Sequence, residues 1–144
     1  STALLIANKI QENGYRALAI PASQIISRDP MQGHISHKIL GQSAGIGFIG
    51  RNTLLIHPEY GAQVRYVSIL TDAPLKANEP FEGNCGSCRA CMEVCPASAI
   101  KEKAEDFDLT ACYRKLCEFT KISFIGQHIC GVCVKACEGK KHTS

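Results

Sequence analysis

All nine cysteines of this chain stand between Cys85 and Cys137, and none precedes them. Four fall in CGSCRACMEVCP, residues 85–96, at Cys85, Cys88, Cys91 and Cys95, and three more in CGVCVKAC, residues 130–137. Thiols gathered so closely have three chemical uses: pairing as disulfides, holding zinc, or holding an iron–sulfur cluster. Disulfides fit poorly, because the count is odd, C-x-x-C neighbours are strained partners, and nothing in the sequence marks secretion. Zinc takes four donors in a tetrahedron, typically as two separated C-x-x-C pairs. Here three cysteines stand at i, i+3 and i+6, with a fourth four residues later.

The 85–96 run has the form C-x2-C-x2-C-x3-C-P, by which bacterial ferredoxins hold cubic clusters, the fourth cysteine serving the other cluster in two-cluster proteins. Three thiolates on one tight loop can wrap three irons of a cubane, and Gly86, Ser87 and Ala90 are small enough to let the backbone approach. A helix beginning near Met92 would carry Cys95 away from that cube, and Pro96 ends it. The later run supplies Cys130, Cys133 and Cys137, but Gln127 stands where its leading cysteine belongs. The natural replacement is Cys112, with Cys117 open as a rival on the same predicted helix, about 109–119. We therefore expect one [4Fe-4S] cluster on Cys85, Cys88, Cys91 and Cys137, and a second on Cys95, Cys112, Cys130 and Cys133. The ninth cysteine, Cys117, is read as a small buried hydrophobe. Interleaved ligands would make a short electron wire, so electron transfer is the function this half supports; amides and burial would set the potentials within a span of about a volt.

The elements that must position these cysteines read as α+β. The first residues predict an amphipathic helix over Thr2–Glu12 closed by Gly14, then a strand over Ala17–Ile20. A helix is expected over 36–43, and strands over 53–57 and 64–71 joined as a hairpin by PEYGA. The stretch TDAPLKANEPFEGN, 71–84, breaks the apolar pattern. We expect a partial α/β layer over 1–75, followed by a ferredoxin-like double-cluster domain of short helices and loops over 76–144. GIGFIG, 45–50, matches G-x-G-x-x-G, yet a predicted helix precedes it where a dinucleotide site needs a strand. Gly45 is expected to cap that helix and the other glycines to allow tight turns, or the bare backbone to lie against a large flat ligand. His34, His37, His57, His128 and His142 show no metal-binding spacing, and Asp72 reads equally as a turn cap or an acid–base group.

Composition narrows the remaining classes. A chain of 144 residues with 45% hydrophobic content can bury a core. Sixteen basic against thirteen acidic residues, a formal charge of +3, give no nucleic-acid stripe; only EGKKH, 138–142, forms a basic knot. No apolar run approaches the roughly 20 residues of a membrane span and no leader is visible, so a soluble cytoplasmic protein is expected.

HISHKILGQSAGIGFIGRNTLLIHPEYGAQVRYVSILTDAPL, followed by CGSCRACMEVCPASAI and CGVCVKAC, closely resembles the epoxyqueuosine reductase family. The likeness is clearest at 44–56, and PEYG…VR…LTDAPL is also similar to corrinoid-dependent reductive dehalogenases. The resemblance covers about residues 34–137 and implies two [4Fe-4S] clusters beside a base-off corrinoid, cobalamin, whose cobalt reduces the substrate. It implies that Gly45, Gly47, Gly50, Arg51 and Asn52 lie at the corrinoid, and it favours Cys112 over Cys117. Three departures matter. The family's N-terminal portion with its acidic proton donor has no counterpart here, nor has its C-terminal helical-repeat region, and Glu138 replaces the usual proline after Cys137. The sequence thus shows no full catalytic apparatus. We expect a fragment or a reduced relative, working with a redox partner or a missing N-terminal portion. A homodimer through an exposed sheet edge is a further expectation. The other readings are a complete cobalamin-dependent reductase and a zinc-stabilised interaction domain.

Overall fold

The computed structural model describes residues 2–21, 27–28, 31–33 and 35–139. His34, His142 and the end of the basic knot lie outside them. The chain begins with α1 (Thr2–Glu12), whose Ala3 and Ala7 are buried one turn apart. Its C-terminus closes as the sequence predicts: Gly14, at φ +86°, donates to Gln11 O, and Tyr15 N–H reaches back to Ile10 O. β1 (Ala17–Ile20) pairs antiparallel with β6 (Ser68–Thr71), Ala17 opposite Thr71, and α1 packs on this pair. Asp72, just beyond β6, accepts from both the backbone N–H and Nε of Arg16, each at 2.7 Å. That is the work of a structural clasp.

Between these strands lie two more two-stranded antiparallel sheets. β2 (Ser27–Arg28) pairs with β3 (Met31–Gln32), and β4 (Phe48–Ile49) pairs with β5 (Leu55–Ile56), Phe48 opposite Ile56. The hairpin expected between 53–57 and 64–71 does not form. The tight turn after β4 folds β5 back on β4, through Gly50 N–H to Leu54 O (2.9 Å) and Thr53 N–H to Gly50 O (2.8 Å). PEYGA closes only a single bridge, His57 to Gly61, after which Ala62 N–H turns away to Cys137 O. β6 is thereby left free to take β1 as its partner.

α2 (His37–Ser43) is capped by Ser36, whose side chain accepts from Ile39 N–H, and packs over the β4–β5 hairpin. Gly41 permits that approach: a Cβ there would lie 2.2 Å from Leu55 Cδ2. The cysteine half adds α3 (Ala90–Glu93), a short 3-10 turn at Ala104–Asp106, α4 (Leu109–Thr120) capped by Asp108, and α5 (Val132–Ala136). Phe48, Ile56 and Ala62 form a buried cluster, packed against Leu54, Phe81, Cys85, Val134 and Cys137. Burial of each large member contributes about 1.5–3 kcal/mol, and residues from Phe48 to Cys137 share it. The architecture is mixed α+β, with short helices and small antiparallel sheets. Among the described residues no helix is long and apolar enough to cross a membrane.

Candidate functional site

The loop that carries the first cysteines is shaped by its own small residues and held from outside by an arginine. Asn84 Oδ1 accepts from Gly86 N–H at 2.7 Å, Gly86 takes φ +50°, and Cys88 N–H closes a turn on Cys85 O at 3.0 Å. Arg51 then fans its guanidinium across the loop: Nη1 donates to Cys88 O (2.7 Å), Nη2 to Gly86 O (2.8 Å) and Nε to Glu102 O (2.9 Å). Its side chain is only 13% exposed, and the Glu102 carboxylate lies 3.4 Å from Nε. Glu102 also pairs with Arg89, and these arginines hold its carboxyl below the ordinary range.

α3 presents Cys91 as a buried residue and packs against α5, which carries Cys133 and ends at Cys137. α4 carries Cys112 and Cys117, and Cys130 precedes the left-handed Gly131 at φ +76°. These elements bring the thiols together in a way that their mutual electrostatics makes plain. Burial first, then the charges of Cys85, Cys137, Cys133 and Cys88, push the Cys91 thiol up to about 11. Cys137 is raised by burial and by Cys85 and Cys88, with the amides of Ala62 and Gly139 opposing. Cys112 is raised by burial, then by Cys95 and Cys130, and Cys133 by burial, then by Cys130, Cys95 and Cys112. Cys91 thus has Cys85, Cys137, Cys133 and Cys88 as neighbours and Cys133 has Cys130, Cys95 and Cys112; the second group expected from the sequence is Cys95, Cys112, Cys130 and Cys133.

The second group surrounds a cavity of about 320 Å³. All four of its sulfur-bearing residues line it, with Ile100, Phe107, Leu116 and Val134 supplying apolar wall. Cys95 Sγ accepts from the backbone N–H of the fully buried Ala99 at 3.4 Å. Cys117 does not line this cavity. Among the described residues no three His, Cys, Asp or Glu side chains gather closely enough to hold one metal ion.

The tip of the β4–β5 hairpin forms another side of the same cavity, through Asn52, Thr53 and Leu54. Thr53 adopts φ +57°, an unusual state for a β-branched residue, and its carbonyl accepts from Lys38 Nζ at 2.7 Å. Partial desolvation lowers the pKa of that lysine. Asn52 is 4% exposed; its Oδ1 accepts from Leu54 N–H at 3.2 Å and its Nδ2 has no partner within the described chain.

The residues that the resemblance places at a corrinoid are thus engaged by the chain itself. Gly45, at φ +72°, ends α2 by donating to Gln42 O while Ile46 N–H reaches Gly41 O, and a Cβ there would lie 2.2 Å from Glu79 O. A Cβ at Gly47 would meet Ile56 O at 2.0 Å, and one at Gly50 would meet Ile56 Cγ1 at 2.6 Å. Arg51 is turned to the cysteine loop, and Asn52 lines the cavity that Cys95, Cys112, Cys130 and Cys133 also line. Of the histidines, His37 Nδ1 meets Ser68 Oγ at 2.7 Å, His57 stacks on Tyr60, and His128 stacks on Tyr113 at the cavity's edge.

A cysteine-rich segment on a mixed α+β frame is consistent with an iron–sulfur module. No protein-family model matches the chain. Over 72 residues it is 42% identical to the epoxyqueuosine reductase of Gloeobacter violaceus, covering 50% of this chain and 23% of that enzyme. Over 68 residues it is 37% identical to that of Bacillus subtilis, covering 47% of this chain and 18% of the enzyme. The solved structure of epoxyqueuosine reductase from Bacillus subtilis matches with a TM-score of 0.62 at 26% identity, over 93% of this chain and 36% of that one. A catabolic reductive dehalogenase shares the fold, with a TM-score of 0.67 at 20% identity over 96% and 21% of the two chains. The chain therefore has an epoxyqueuosine reductase-like and reductive dehalogenase-like fold, a partial match spanning well under half the length of those enzymes.

Sequence reasoning missed the cavity wall at the hairpin tip and the clamp of Arg51 on the cysteine loop. An Asn-Thr pair after Gly50 signals a turn but not what the turn faces. A lone arginine 34 residues before Cys85 (85 − 51) carries no local signal at all.

Proposed function

We propose that this chain is a two-cluster electron-transfer module of an epoxyqueuosine reductase-like protein. Cys85, Cys88, Cys91 and Cys137 hold one [4Fe-4S] cluster and Cys95, Cys112, Cys130 and Cys133 the other. The observation that supports this most is the cavity of about 320 Å³ that Cys95, Cys112, Cys130 and Cys133 line together. A zinc ion bound about 2.3 Å from each sulfur needs no such space. The donor set is all thiolate, as cubic clusters require, and when bound they supply one-electron carriers.

Each protein element then has a definite task. Arg51 fixes the loop that presents Cys85 and Cys88. The packing of α3 on α5 sets the separation of the two thiol groups, which approach where Cys91 adjoins Cys133. The apolar wall at Ile100, Phe107 and Leu116 limits water at the second group, and Ala99 N–H stabilises the Cys95 sulfur. Residues 76–144 act as the ferredoxin-like part and 1–75 as the partial α/β part that braces it. Electrons pass between this module and a redox partner or a further part of a longer protein.

Electron paramagnetic resonance of the anaerobically reconstituted, fully reduced chain tests the reading. Two adjacent cubanes give a mutually broadened spectrum, which Cys112→Ser simplifies to that of one cluster. A single unbroadened signal in the parent chain contradicts it.

A further inference from the structure

Arg51 places a cation against the backbone of the first cysteine loop. Its Nη1 donates to Cys88 O at 2.7 Å and its Nη2 to Gly86 O at 2.8 Å. A carbonyl oxygen lies no more than about 5 Å from the sulfur of its own cysteine, so the guanidinium sits within about 8 Å of Cys88 Sγ in any rotamer. It is also shielded: with 13% of its side chain exposed, its field reaches the loop with little screening. The neighbouring carboxylates are placed differently. Glu102 is 52% exposed and divided between Arg51 and Arg89, and Glu93 of α3, which acts on Arg89, is exposed as well. Water weakens the field of both.

We infer that the fixed charge of Arg51 raises the potential of the cluster on Cys85, Cys88, Cys91 and Cys137, apart from the clamp that the same side chain makes on the loop. The inference rests on the two-cluster reading above. Reduction adds a negative charge to the cluster, and a nearby cation stabilises the reduced form. The charge acts through space and the hydrogen bonds act through the shape of the loop. Arg51 is thus a positioning residue with a second, electrostatic role, and variants that keep one property and lose the other separate the two.

The test is a redox titration of the anaerobically reconstituted chain with an external one-electron reductant, followed by electron paramagnetic resonance. Cys112→Ser is the background in which the first cluster's signal stands alone, and the parent background reports the second cluster. Arg51→Gln removes the charge; the first cluster's reduction equilibrium should fall about tenfold, which is about 59 mV for a one-electron couple, with a smaller shift in the second. Arg51→Lys keeps the charge and loses the planar fork, so its potential should stay near the parent's even as iron escapes faster. Glu102→Gln removes a counter-charge and leaves Arg51 in place; the first potential should rise, by less than tenfold because Glu102 is exposed. That variant keeps the inference testable if Arg51→Gln fails to hold the cluster. Unshifted first-cluster potentials in Arg51→Gln and Glu102→Gln, a fall in Arg51→Lys equal to that in Arg51→Gln, or equal shifts of both clusters would overturn the electrostatic role while leaving the two-cluster reading intact. A parent chain that takes up no cluster on Cys85, Cys88, Cys91 and Cys137 overturns both.

Discussion

Replacing Arg51 with leucine removes a guanidinium that bridges the two halves of the chain. Three of its donors meet carbonyl oxygens at 2.7–2.9 Å, two of them on the loop between Cys85 and Cys88. A hydrogen bond from a charged donor contributes about 1.5–3 kcal/mol where its partner is shielded. Cys88 is half-buried but Gly86 is exposed, so water takes over part of the loss. A net cost of about 3 kcal/mol follows, well below the sum of three bonds. If that cost falls on the loop, iron bound there should escape to a chelator roughly a hundredfold faster, since about 1.4 kcal/mol is a factor of ten in rate. Arg51→Lys should recover only a fraction, because an ammonium cannot span the same carbonyls. The assay is anaerobic iron release to a ferrous chelator, with thermal unfolding of the metal-free chain beside it. Release from Arg51→Leu at the parent rate would refute the clamp.

Cys117→Ser should retain both clusters and Cys112→Ser should lose one, read by iron content; four irons lost from the former would exchange their roles. Gly45→Ala should destabilise the chain by at least about 1 kcal/mol, from the left-handed backbone alone. The 2.2 Å approach of a Cβ to Glu79 O adds to that, and thermal unfolding reads the total. Asp72 has a pKa below the ordinary carboxylate value because of the Arg16 side chain and then its backbone amide. Its contribution is therefore present above the ordinary pKa and lost as pH falls through the lowered one. Acid unfolding of Asp72→Asn should show a shallower pH dependence in that window than the parent chain.

Local signals were sufficient where one segment decides its own structure. α1 with its Gly14 stop, β1, α2 and α4 can be read from periodicity, caps and terminal glycine, because those interactions lie within a few residues. The spacing of the cysteines likewise carries its chemistry in the order of residues. Strand pairing does not. The partner of β6 is decided by a five-residue turn at 50–54 that occupies β5 first, and nothing near β6 announces β1. The same holds for GIGFIG: its glycines are demanded by Glu79, by Ile56 and by a helix end, contacts that only the folded chain reveals. Arg51 and Asn52 read as one motif with their neighbours, yet Arg51 clamps the Cys85–Cys88 loop while Asn52 lines the cavity beside Cys95.

The most direct measurement is the iron and acid-labile sulfide content of the chain after anaerobic reconstitution, with zinc determined on the same sample. The account predicts about eight irons and eight sulfides per chain, with zinc in trace. Stoichiometric zinc without sulfide, or iron that stops at one cubane while all nine cysteines are reduced, would contradict it.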